Sequence, residues 1–156
     1  MRVIVLGIGN TILTDDGIGV YVARKVKNQL NSMGIEVLES NIAGFALIEL
    51  LAGYDRAVII DGARFRRHEP GDVILSDCKH FQPTLHLIAG HEIDLPTALS
   101  LGQILGVIIP REIFVIAIQV LDYVTFGEQC TPAVERAIAP AAQLTVETAT
   151  KAFNST

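Results

Sequence analysis

At 156 residues, 50% of them hydrophobic, the chain is long enough to bury one sizeable core and too short for two comfortable ones, so a single domain spanning residues 1–156 is expected. The net charge of -5, with no basic run beyond Arg64, Arg66 and Arg67, leaves no electrostatic footprint for nucleic acid. Apolar segments break before the roughly 18 residues a membrane span needs, and Arg2 leads into a short strand with no cleavage site of small residues, which predicts a cytoplasmic protein with Cys78 and Cys130 reduced.

Apolar runs of strand length alternate with segments of helical period, the pattern of a parallel sheet covered on both faces. The first strand is expected over Arg2 to Leu6, and the first helix near Asp16, with Ile18, Val22, Val26 and Leu30 on its buried stripe and Gly34 as its stop. A second strand over Ile35 to Leu38 and a short helix over Phe45 to Leu51 follow. The third strand, Ala57 to Ile60, is wholly apolar, as a central strand buried on both faces would be, and it places Asp61 at its tip. Asp72 to Leu75 reads as a further strand at the sheet edge, and Ser76 to Glu92 as a long connection holding three of the four histidines. Asp94 can cap a helix carrying Pro96 in its first turn, with Leu95, Leu99 and Leu105 on one face and Gly106 at its end. Glu112 to Gln119 is the last strand, and Thr131-Pro132 opens a final helix that Pro140 should kink or split. The expected fold is an α/β three-layer αβα sandwich on a mostly parallel sheet of about five strands.

The first strand runs into Gly7-Ile8-Gly9-Asn10 and then Asp15-Asp16-Gly17-Ile18-Gly19. A dinucleotide loop would need a third glycine where Ile12 stands and a helix N-terminus free to face a pyrophosphate, whereas two carboxylates precede this helix. Glu39 could serve such a loop as the ribose acid, which keeps a dinucleotide-binding module as a weaker reading. Helix capping would account for one of the two acids.

Ligands bind outside the carboxyl ends of strands in open doubly wound sheets, and Asp16, Asp61 and His91 are expected to converge there. Two unpaired carboxylates in proximity would repel by about 4 kcal/mol at 4 Å and an effective dielectric of 20, a cost that a divalent cation removes. Two oxygens and one imidazole nitrogen suit zinc or nickel and leave positions open for water or substrate. Taken singly, Asp16 reads as a cap, Asp61-Gly62 as a turn and His91 as a surface residue; their convergence raises the functional reading to stand level with these. His91-Glu92 begins like the zinc-protease helix motif but has Leu95 in place of the second histidine. Cys78, His80, His86 and His91 fit none of the paired zinc spacings.

Together, Gly7-Ile8-Gly9-Asn10 with Asp15-Asp16-Gly17-Ile18-Gly19, Ile59-Ile60-Asp61-Gly62, Gly90-His91-Glu92 and Ile116-Ala117-Ile118-Gln119 resemble the hydrogenase maturation endopeptidases over nearly the whole chain. The resemblance implies a single αβα domain that removes the C-terminal extension of a nickel-iron hydrogenase large-subunit precursor, with Asp16, Asp61 and His91 as catalytic residues and metal ligands. It implies nickel carried by the substrate, with zinc or cadmium able to substitute, and the large-subunit precursor as partner of a monomeric enzyme. One departure is Val120 after Gln119, where the family often has proline, which bears on the loop from Leu121 to Gln129. A nickel-binding chaperone that holds the same precursor without cutting it is the alternative from another class.

Overall fold

The computed structural model describes residues 1–41, 45–80, 82–87 and 94–152. Its elements are β1 (Val3–Ile8), a 3-10 turn (Thr14–Gly17), α1 (Ile18–Ser32), β2 (Glu36–Ser40), α2 (Ala46–Leu51), β3 (Arg56–Ala63), β4 (Val73–Asp77), a second 3-10 turn (Cys78–His80), α3 (Leu95–Ile104), β5 (Glu112–Gln119) and α4 (Pro132–Thr150). The five strands form one sheet in the order β2-β1-β3-β5-β4, parallel except for β4, which runs antiparallel to β5 at the edge. The α/β fold is therefore as expected, mostly parallel and five-stranded.

Both faces of the sheet are covered because β1 and β3 are apolar at every second residue on each side. Val3, Val5, Val58 and Ile60 pack with α1 and α4, through Val22, Val26, Val134 and Ala141. Ile4, Leu6, Ala57 and Ile59 pack the opposite way, against Leu47 and Leu51 of α2 and Leu95 and Leu99 of α3. Central strands buried on both faces carry no polar alternation, so their side chains supply two cores from one sheet. Each buried aliphatic chain contributes about 1.5 to 3 kcal/mol of transfer free energy.

Several boundaries differ from the sequence pattern. β3 begins at Arg56, whose fully buried guanidinium bonds Glu112 at 2.6 Å and the carbonyls of Thr148 and Lys151 at 3.3 and 2.6 Å. A cation there meets the partial negative charge at the end of α4, so a charged residue extends the strand inward. β3 also runs on to Ala63, so Asp61 lies inside the last turn of strand rather than at its tip. β4 reaches Asp77, two residues past its expected end at Leu75, since pairing with β5 continues to Phe114. Leu105 is exposed and caps α3 instead of lining its face. α4 is one continuous helix through Pro140.

The order of the sheet sets the location of the site. From β1 the chain crosses to β2 on one side, then returns to place β3 on the other, so the switch point falls between the C-terminal ends of β1 and β3. A crevice opens where the connections diverge.

Candidate active site

Glycines bring the first turn tightly onto the sheet at this switch point. A side chain at Gly9, which has φ 155°, would run into the backbone oxygen of Asp16, and one at Gly19 would run into those of Ile8 and Ile60. The glycines therefore serve close backbone crossing. Glu39, the acid that a dinucleotide would need, pairs with Arg24 at 2.7 Å.

Packed this way, the 3-10 turn sends its two acids in different directions. Neither caps α1, whose N-cap Gly17 has no side-chain bond, so the capping reading does not hold. Asp15 is fully buried, and its carboxylate accepts from Leu121 N and Asp122 N, both at 2.9 Å, and from Thr131 N at 2.7 Å and Thr131 Oγ1 at 2.8 Å. It fastens the loop between β5 and α4, and Val120 N, a donor that proline would lack, bonds Ala63 O at 3.0 Å.

Asp16 turns toward β3. Its Oδ2 accepts from Asn10 N at 2.9 Å and lies 3.3 Å from Nε2 of His86. The other ring nitrogen of His86, Nδ1, donates to Asp61 Oδ1 at 2.6 Å. Asp61 is fully buried, and its Oδ2 accepts from Thr84 Oγ1 at 2.6 Å and from the backbone N of His86 at 2.8 Å. One imidazole thus bridges two carboxylates. Burial disfavours charge on that ring, but the hydrogen bonds and charges of Asp16 and Asp61 outweigh it and push the His86 pKa up to about 10. At neutral pH an imidazolium sits between the acids, so the repulsion expected of them is relieved by a protein cation.

Asp16 opens into a cleft of about 340 Å³ lined by Arg64, Pro83, Thr84, Leu85 and Tyr123. The Arg64 guanidinium lies over the Tyr123 ring, 4.8 Å from its centroid. A stacked guanidinium keeps its edge N–H groups free for a carboxylate or a peptide carbonyl. A larger groove of about 440 Å³ follows β4, but its Asp77 and His80 bond each other at 2.9 Å within one turn, a local contact and not a convergence of elements.

The structure brings together two of the three predicted site residues, Asp16 and Asp61; His91 lies outside the described residues. Sequence reasoning missed His86 and Thr84 as partners of the acids. Their only signal was position, in a long histidine-bearing connection after an acid-tipped strand. Cys78, His80 and His86 do not gather into a zinc knot: Cys78 packs against the core beside α2 and α3, with burial raising its pKa to about 11, while His80 stays exposed on Asp77. Among the described residues no group of three or more His, Cys, Asp or Glu side chains is arranged to hold a metal ion, and both nitrogens of His86 face carboxylates.

A family model described as hydrogenase maturation protease matches residues 20–148. The chain belongs to this family. As a member it is a protease, and its Asp61 and His91 fall within the matched residues, with Asp16 just before them. The hydrogenase 2 maturation protease of Escherichia coli (strain K12) is 29% identical over 143 residues, covering 90% of this chain and 86% of that protein. A hydrogenase expression/formation protein, HupD, of Bradyrhizobium diazoefficiens is 27% identical over 92% of this chain and 75% of that protein. Among solved structures, the hydrogenase maturating endopeptidase HybD from E. coli superposes with a TM-score of 0.73 at 24% identity, covering 95% of this chain and 91% of that one, which shows a shared fold.

Proposed function

We propose that the protein is a cytoplasmic endopeptidase that removes the C-terminal extension of a nickel-loaded nickel-iron hydrogenase large-subunit precursor. The observation that carries this reading is the meeting of Asp16 and Asp61 across one imidazole, at the foot of an open cleft at the switch point. Among the described residues the cleft lining holds no serine or cysteine, and the Asp16 and Asp61 carboxylates are oxygen donors open to a divalent ion once the His86 ring gives way.

In this reading Asp16, Asp61 and His91 take up nickel that arrives with the substrate, and zinc or cadmium can substitute, since oxygen and imidazole donors suit all three. Such an ion, when bound, polarises a carbonyl or activates water. The chain's own groups do the positioning. Thr84 and the backbone of His86 fix the Asp61 carboxylate, and Asn10 N fixes that of Asp16, so both acids are oriented before substrate arrives. His86 supplies their counter-charge in the ion-free enzyme. Arg64, Tyr123 and Leu85 form walls that hold an extended chain against the acids, and proximity of that kind supplies a large share of the rate.

The test is the mass of the large-subunit precursor before and after incubation with the protein, in nickel-loaded and metal-free forms. Loss of one C-terminal fragment from the loaded form alone is expected. Equal cleavage of both forms would leave an ordinary peptidase, and stable binding with no loss of mass would leave a chaperone.

A further inference from the structure

The loop from residue 121 to 131 is ordered mainly by hydrogen bonds, with Tyr123 and Cys130 packed against the core. Besides the four bonds it gives to Asp15, its Thr125 carbonyl accepts from Thr14 Oγ1 at 2.5 Å and its Gly127 carbonyl from Thr14 N at 2.9 Å. Gly127 N in turn donates to Ile12 O at 2.9 Å, and Asp122 Oδ1 accepts from Val124 N and Thr125 N at 3.1 and 3.0 Å. A loop tied down for packing would turn its apolar side chains inward. Here Leu121 is 62% exposed, Val124 68% and Phe126 80%, and Ile12, whose carbonyl accepts from Gly127 N, is 47% exposed.

Apolar groups held in water on a fixed frame are poor for solubility and good for association, because little ordering remains to be done when they are covered. The position of the loop identifies what covers them. Tyr123 lines the Asp16 cleft under Arg64, so Leu121 and Val124 of the apolar ridge flank, along the chain, a residue of the active-site wall. A tail threaded into the cleft touches Tyr123, whereas the ridge lies outside the cleft lining and meets whatever the tail is attached to.

We propose that Ile12, Leu121, Val124 and Phe126 form the docking surface for the folded body of the large-subunit precursor, through an apolar patch next to its tail. The inference rests on the proposed function and adds how substrate is selected: the body binds the ridge while the tail enters the cleft. Asp15 is the device that keeps the ridge in register with Asp16.

The experiment measures steady-state cleavage of full-length precursor by Val124→Asp and Phe126→Asp, with Ile104→Asp as control. Ile104 is 80% exposed as the last residue of α3, on the connection that leads to the start of β5 and so away from the strand C-termini that carry the site. The loop variants should raise KM by about tenfold or more with kcat retained, as loss of uniform binding does, and Ile104→Asp should leave KM alone. If an aspartate variant melts early, Phe126→Ser, which removes the ring without adding charge, is read in the same assay. Unchanged KM in the folded loop variants overturns the docking surface. So does a wild-type dimer that Phe126→Asp splits, which would make a second copy the occupant. A wild-type protein that cleaves no precursor instead overturns the proposed function, and the two failures are told apart by the wild-type control.

Discussion

Asp15 and Asp16 are consecutive acids in one 3-10 turn, both buried, and their surroundings differ in kind. Asp15 meets only backbone N–H groups and a hydroxyl, donors with no charge of their own, which satisfy it completely within the protein. Asp16 meets one backbone N–H and the edge of an imidazolium that it shares with Asp61, and part of it faces a cleft. A carboxylate enclosed by neutral donors is a structural staple, and its removal exposes the cost of every donor left behind. A carboxylate balanced against a removable charge keeps its capacity to bind something else.

This contrast predicts the sharpest effect at Asp15. Asp15→Ala leaves Leu121 N, Asp122 N and Thr131 N without their acceptor, and stability should fall by about 3 to 5 kcal/mol, lowering Tm by about 10 °C. Thermal unfolding checks it, and an unchanged Tm would dissolve the distinction between the two acids.

Asp16→Asn should do the reverse. The amide oxygen can still accept from Asn10 N, so stability should stay within about 1 kcal/mol of the wild type, while precursor processing falls by more than about 100-fold. Asp61→Asn should abolish processing to a similar degree but also lower Tm. Its carboxylate is bound by Thr84 and His86 and does not stand unpaired, so the gain in stability that repulsion would have allowed is not expected.

Thr84→Val separates orientation from charge. It removes one hydroxyl donor to Asp61 and should cost about 1 kcal/mol in stability and about tenfold in processing, measured as kcat with KM retained. An effect confined to KM would move Thr84 from orienting Asp61 to contacting substrate.

The smallest effect uses Cys130 as a reporter of Asp15. Burial first, and the charge of Asp15 second, raise that thiol from its ordinary 9.0 to about 12. Because the folded pKa lies above the unfolded one, the neutral thiol's contribution to stability is complete below about pH 9 and is lost as pH rises from there toward 12. Alkylation of Cys130 at pH 9 should be slow in the native protein and faster in Asp15→Asn, as mass spectrometry after timed iodoacetamide treatment would show. Equal rates would mean that burial alone holds the thiol.

Patterns of a few residues were enough for much of this molecule. The apolar runs of β1 and β3, the stripe of α1 at Ile18, Val22, Val26 and Leu30, and the Asp94 cap that accepts from Thr97 N at 2.9 Å are local, because strand burial, helical period and capping act over one to four residues. With the rule that ligands bind where strands end, they also brought Asp16 and Asp61 to one place. Tertiary structure decided what those acids do. Asp15 finds its donors more than 100 residues along the chain, at Leu121, Asp122 and Thr131, and His86 reaches back 25 residues to Asp61. No period or motif marks such pairs, because a hydrogen bond closed by the folding of a loop depends on where two distant backbones come to rest and not on the residues that flank either end.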